Sequence, residues 1–91
     1  AMDSPLLRKG LKLSHLRLMA ALGQTGQIGL AAARIGVAQP AASRLLAELA
    51  QITATPLTAR DGRGLCLTPA GQALATRATR ILAEIAEAGE D

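Results

Sequence analysis

Residues 29–49, GLAAARIGVAQPAASRLLAEL, restrict the possible folds more than any other stretch. The run is interrupted at Gly36 and resumes at Pro40, so it reads as two short helices joined by a tight turn. Gly36 suits a left-handed C-cap, with Val37 plugging the turn. Pro40 suits the first helical position, where no backbone N–H is needed, which leaves Gln39 as the expected cap. At about 100° per residue, Ala42, Leu45, Leu46 and Leu49 share one side, the spacing of a buried stripe. Pro40, Ser43, Arg44 and Ala47 share the other side, which is narrow and, at its N-terminal end, polar. With Gln39 beside it, such a face fits a DNA major groove. There Arg can grip guanine O6 and N7, and Gln can grip adenine N6 and N7. The plainer reading of the same residues is an amphipathic helix pair with a solvated arginine.

Composition narrows the alternatives. Ninety-one residues make one small domain, 49% apolar yet without Phe, Tyr or Trp. The core must therefore be aliphatic, and the prevalence of Ala and Leu favours helices. Without aromatic rings there is no stacking platform for single-stranded nucleic acid, which argues against RNA-recognition and single-strand modules. The net charge is +3, but all ten basic residues precede position 81, where only Asp3, Glu48 and Asp61 oppose them. A basic body followed by an acidic tail (Glu84, Glu87, Glu90, Asp91) fits a polyanion binder. One Cys and one His provide no disulfide and no zinc cluster, and with no clustered carboxylates they leave no acid–base pair for an enzyme. No apolar run reaches membrane-span length and no secretory segment is evident, so a cytoplasmic location is expected.

In chain order, residues 1–10 are expected to be an extension or tag remnant without structure, since Ala1 precedes Met2. Residues 11–24 read as a first helix from about Ser14, with Leu13, Leu16, Met19 and Ala20 at helical spacing. His15 is expected at its surface or boundary, and Lys12 and Arg17 could meet a phosphate or simply face solvent. The second helix is expected over 29–35, with Ala31, Ala32 and Ile35 inward, and the third over 40–51. Residues 57–60 and 65–67 then change period around Asp61-Gly62-Arg63-Gly64, a hairpin signal with Arg60 and Arg63 at its tip. A hairpin in that place is a wing, and one use for it is to lay an arginine into a minor groove or onto phosphates.

Thr68-Pro69 restarts a helix, Thr as N-cap and Pro at the first position, and the pattern then continues to about Ala88 with only Gly71 interrupting it. Ala70, Leu74, Ala78, Ile81, Ile85 and Ala88 form a narrow seam, with Leu82 beside it. So small a domain cannot cover so long a helix, and part of the seam is expected to face a partner chain. Arg77 and Arg80 lie in its first half and the glutamates in its second, an order that opposes the helix dipole. Two antiparallel copies would set each basic half against an acidic half.

The strings HLRLM, AAARIGVAQPAASRLL and PLTARDGRGLCLTPAGQAL resemble the N-terminal winged helix-turn-helix domain of LysR-type bacterial transcriptional regulators, from Leu13 to about Leu82. The resemblance implies a mainly α fold: a winged helix-turn-helix over 11–68, then a linker and dimerisation helix over 69–91. It implies a homodimer through antiparallel linker helices, with Leu74, Ala78, Ile81, Leu82 and Ile85 at the interface, and a tetramer in a full-length protein. It also implies a double-stranded DNA operator as partner. No cofactor is expected in these residues, and a small-molecule inducer would belong to a C-terminal domain that they lack. Carried over by position, Gln39, Pro40, Ala41, Ser43 and Arg44 would meet bases and nearby phosphates. Arg60 would enter the minor groove, and Arg63 and Thr68 would meet phosphates.

Some positions depart from the family pattern. Thr58 and Ala59 stand where Phe and Glu are usual in the wing, and Gly29 replaces a hydroxyl residue at the expected cap of the second helix. Leu30 stands where a smaller or polar residue is usual, and the ITAT loop lacks a customary glycine. The competing function is a winged-helix protein–protein module without DNA. The small, polar face around Ser43 speaks against it, because protein interfaces favour large anchors.

Overall fold

The computed structural model describes residues 4–62 and 64–90. Its elements are α1 (Pro5–Arg8), α2 (Leu13–Thr25), α3 (Ile28–Ile35), α4 (Gln39–Thr53), β1 (Thr58–Arg60), β2 (Leu65–Leu67) and α5 (Pro69–Glu90). This is the expected mainly α winged helix-turn-helix with a long C-terminal helix. The absence of structure expected for residues 1–10 does not hold for residues 5–8. Ser4 Oγ accepts the Leu6 N–H at 3.2 Å and Pro5 opens the turn. The Leu11 N–H then donates to the Leu6 carbonyl at 3.0 Å while Leu11 packs on the core, which draws α1 onto the body.

The α2 helix is the hub, packed by α3, α4 and α5. Leu18, Met19 and Leu22 are fully buried, with Leu16, Ala20 and Ala21 close to it. Leu16, Met19 and Ala20 of the expected stripe are buried, but Leu13 is 51% exposed, and His15 and Leu18 are interior as well. A helix enclosed by three neighbours has no single buried side, so a stripe chosen for one face misses the others. Gly23 lies within α2, where a methyl group would stand 2.8 Å from Ala75 Cβ. Close passage of α5 requires its absence. The helix ends at left-handed Gly26.

The α3–α4 turn forms as its residues dictate. Gly36 is left-handed (φ 78°), and the Val37 N–H donates to the Ala32 carbonyl at 3.0 Å, the bond that closes a Schellman cap. The caps of both helices differ from expectation. Gln27, not Gly29, caps α3. Ala38, not Gln39, caps α4, because the Ala42 N–H bonds the Ala38 carbonyl at 3.1 Å and closes the first turn one residue early. Gln39 is thus helical and Pro40 second, still among the positions whose N–H has no partner within the helix. At its far end α4 runs on to bury Ile52 and stops at Ala54, left-handed at φ 55°. Ala54 is the one non-glycine residue with positive φ among the described residues, a conformation that costs an L-residue roughly 1–2 kcal/mol.

β1 and β2 pair antiparallel, Thr58 opposite Leu67, Ala59 opposite Cys66 and Arg60 opposite Leu65. So short a hairpin needs support. Leu57 is buried and Leu67 packs against the core, which fixes its base. Thr68 caps α5 as expected: its Oγ1 accepts the Gly71 N–H at 3.0 Å. Gly71 is the most closely approached of the described glycines, since a methyl group there would fall on the Leu57 carbonyl oxygen. That carbonyl also accepts the Thr68 N–H at 3.1 Å, so the wing's entry cannot shift to make room.

The seam on α5 divides. Ala75 and Ala78 are buried, with Leu74 and Leu82 packed against the core, so this side belongs to the protomer. Ala78, expected at a subunit interface, is 0% exposed and its place there is corrected. Ile81 and Ile85 remain 42% and 45% exposed. Gly71→Ala should lower unfolding stability by about 1–3 kcal/mol, the usual effect of forcing atoms into a packed site. Gly89→Ala, with open space around it, should not. Urea midpoints of the two variants provide the comparison.

Candidate nucleic-acid interface

The site is built on α4, whose inner side is held by buried Ala42, Leu49 and Ile52 with Leu45 and Leu46 half-buried beside them. This leaves Gln39, Pro40, Ser43, Arg44, Ala47 and Gln51 exposed. Of the five expected base-reading residues, Gln39, Pro40, Ser43 and Arg44 thus face solvent, and Ala41 is half-buried at the edge. With only a methyl group at its centre, the Ala47 face is low enough for close approach to a flat or grooved partner.

Two open grooves flank this ridge, and Ala47 lines both. The one beside the wing, about 520 Å³, brings Gln39 and Ser43 together with Thr58 and Arg60. Arg60, the residue carried over as the wing arginine, therefore stands across from the polar start of α4. Thr58, where the family pattern has Phe, lines this groove rather than filling it. The other groove, about 650 Å³, is lined by Lys9, Lys12, Arg44, Glu48 and Gln51, with His15 at its floor. Arg44 thus belongs to the side away from the wing.

The other two expected contacts differ from these. Arg63 lies outside the described residues. Thr68 is corrected: its hydroxyl donates its one hydrogen to the Pro56 carbonyl at 2.7 Å while capping α5, so it has no donor left for a phosphate.

The sequence reading missed one polar link. His15 is 1% exposed, not a surface residue, and joins α2 to α4. The Lys12 N–H donates to its Nδ1 at 3.2 Å, which leaves the hydrogen on Nε2 to be donated to Glu48 Oε1 at 2.9 Å. A signal was present in the chain. Residues 15, 18, 19 and 22 form an i, i+3, i+4, i+7 series, His-Leu-Met-Leu, with the histidine as a full member of the buried stripe. The hydrogen bond from His15 outweighs partial desolvation and, helped by the weaker pull of nearby positive charge at Lys12 and Arg44, holds the Glu48 carboxyl below its ordinary 4.5.

The comparisons with known proteins point the same way. Residues 13–72 match the family described as "Bacterial regulatory helix-turn-helix protein, lysR family". The chain belongs to the LysR family. It is 44% identical over 81 residues to the HTH-type transcriptional regulator GbpR of Rhizobium radiobacter, covering 87% of this chain and 27% of that protein. Against the uncharacterized HTH-type transcriptional regulator YdcI of Escherichia coli (strain K12), identity is 38% over 84 residues, covering 92% of this chain and 27% of that protein. The chain therefore spans about a quarter of the length of these relatives. Among solved structures, the CbnR_DBD–DNA complex aligns with TM-score 0.78 at 31% identity, covering 88% of this chain and 92% of that one. The BenM_DBD/benA site 1 DNA complex aligns with TM-score 0.79 at 26% identity, covering 88% and 90%. Among the described residues of this LysR-family domain, no helix is long and apolar enough to cross a membrane.

Glu48→Ala should lower unfolding stability, because it removes the protein acceptor of the His15 Nε2–H, whereas Glu48→Gln keeps an acceptor and should lose less. Since the carboxyl is held below 4.5 in the fold, its ionised form contributes stability that is complete above that value. The contribution disappears as pH falls through the lower folded value. Urea unfolding of wild type and Glu48→Gln should therefore diverge near neutrality and converge in acid.

Proposed function

We propose that this domain binds double-stranded DNA sequence-specifically, as a homodimer, to regulate transcription. One observation carries the reading: α4 is held by its apolar side and offers Gln39, Ser43 and Arg44 on a free face with no bulky neighbour. An α-helix of that profile fits a major groove, with Arg44 reaching guanine and Gln39 reaching adenine. Arg60, across the adjoining groove, suits the narrower minor groove, and Arg63 follows three residues later in sequence. The structural likeness to LysR DNA-binding domains solved with DNA supports this use of the fold.

The homodimer reading rests on Ile81 and Ile85, two large apolar side chains exposed on a helix whose other side is already used. Arg77 and Arg80 precede them, and Glu84, Glu87 and Glu90 surround or follow Ile85. Antiparallel packing of two copies would cover the isoleucines and pair each basic half with an acidic one.

Selection of bound sites from a random duplex library should return one preferred sequence. Arg44→Ala should lose about 1–3 kcal/mol on it and relax preference at one base pair. Wild-type affinity with unchanged preference would remove Arg44 from the base-reading set. Replacing Ile81 and Ile85 with Asp should shift sedimentation from dimer to monomer while helical circular dichroism is retained. A wild-type monomer, or a variant that still dimerises, would refute this interface.

A further inference from the structure

The groove on the far side of α4 from the wing shares Arg44 alone with the five residues expected to read bases. Its walls come from three places: Lys9 and Gly10 beyond α1, Lys12 and His15 at the start of α2, and Arg44, Ala47, Glu48 and Gln51 along α4. Three cations thus converge on one open concavity. Glu48, the acidic residue in its lining, is committed to His15 by the 2.9 Å bond. Lys9 is not on a loose tail, because its N–H donates to the Pro5 carbonyl at 3.1 Å and Leu11 anchors the following turn. Lys9 and Lys12 also precede residues 13–72, the part that matches the family.

We propose that this groove is a second seat for the DNA backbone, in which Lys9 and Lys12 bind phosphates of the strand that borders the major groove on the side away from the wing. The geometry follows from Ala47, which lines both grooves and so marks the crest between them. A helix about 10–12 Å across fills a major groove about 12 Å wide. The phosphate strands on its two edges then lie against the two flanks of α4. One flank has Arg60; the other has Lys9 and Lys12, with Arg44 at the boundary between backbone and base edges. A compact ammonium on a flexible stem suits a phosphate, which needs charge more than a fixed geometry. The α1 turn thereby extends the footprint of the domain along the duplex.

This inference rests on the DNA-binding reading, and the experiment separates the two. The probe is a fluorescein-labelled duplex with the site recovered from the random library, titrated by anisotropy at several salt concentrations. Lys9→Gln combined with Lys12→Gln should flatten the slope of log K against log salt by about 1.8 per bound domain, about 0.9 for each lost phosphate. Base preference should not change. Ethylation of phosphates in the far strand should hinder the wild type but not this variant, and these phosphates should differ from those sensitised to Arg60→Gln. Arg17→Gln with Arg34→Gln, on the exposed sides of α2 and α3, removes the same charge outside the groove and should leave the slope close to wild type. An unchanged slope in the Lys9/Lys12 variant, or an equal loss in the Arg17/Arg34 control, would overturn the seat while DNA binding stands. A wild type that binds no duplex at any salt would overturn both.

Discussion

Close approach of helices is the constraint from which the rest of this structure follows. A core without aromatic rings can reach interior density only if backbones come near one another, because small side chains fill little space at long range. Hence the points of contact are Ala31 and Ala32 on α3, Ala42 on α4, and Ala75 and Ala78 on α5, set around Leu18, Met19, Leu22 and Leu49. Gly23 beneath Ala75 and Gly71 against the Leu57 carbonyl take the same solution to its limit. These contacts hold α4 in one orientation, and that orientation decides which of its residues remain outside.

A polar strut reinforces the arrangement. His15 and Glu48 are 33 residues apart and join the hub helix to the middle of the helix with the exposed face. A buried hydrogen bond of this kind is directional where aliphatic packing is not, so it limits rotation of α4 about its axis. Arg44 lies one turn before Glu48, and its direction depends on that rotation. The bond that stabilises the fold therefore also aims the side chain assigned to base recognition.

The hairpin shows how a departure from the family pattern can be absorbed. Thr58 in place of an aromatic residue leaves an open groove between wing and α4. The base of the wing is nonetheless fixed by buried Leu57, by Leu67 against the core and by Thr68 bonded to Pro56 and Gly71. The anchoring lies in the backbone and the strand ends, so the missing ring alters the lining of the groove rather than the existence of the hairpin.

The order of elements, the α3–α4 turn and the outer face of α4 were legible in the residues alone. Gly36 after a short apolar helix, a proline four residues later and the Ala42–Leu49 stripe are instructions contained within one stretch of chain, and local backbone chemistry executes them. Thr68-Pro69 and the hairpin around Gly62 were legible for the same reason. Tertiary structure alone decided what counts as inside on α2 and α5. Periodicity names a stripe only when a helix has one buried side, and α2 has three neighbours. The α5 seam was one pattern in sequence but two surfaces in space, Ala78 buried in the core and Ile81 and Ile85 facing out. Likewise the hydrogen bond of His15 to Glu48 and the meeting of Lys9 and Lys12 with Arg44 depend on how separate helices are placed, which no local spacing encodes.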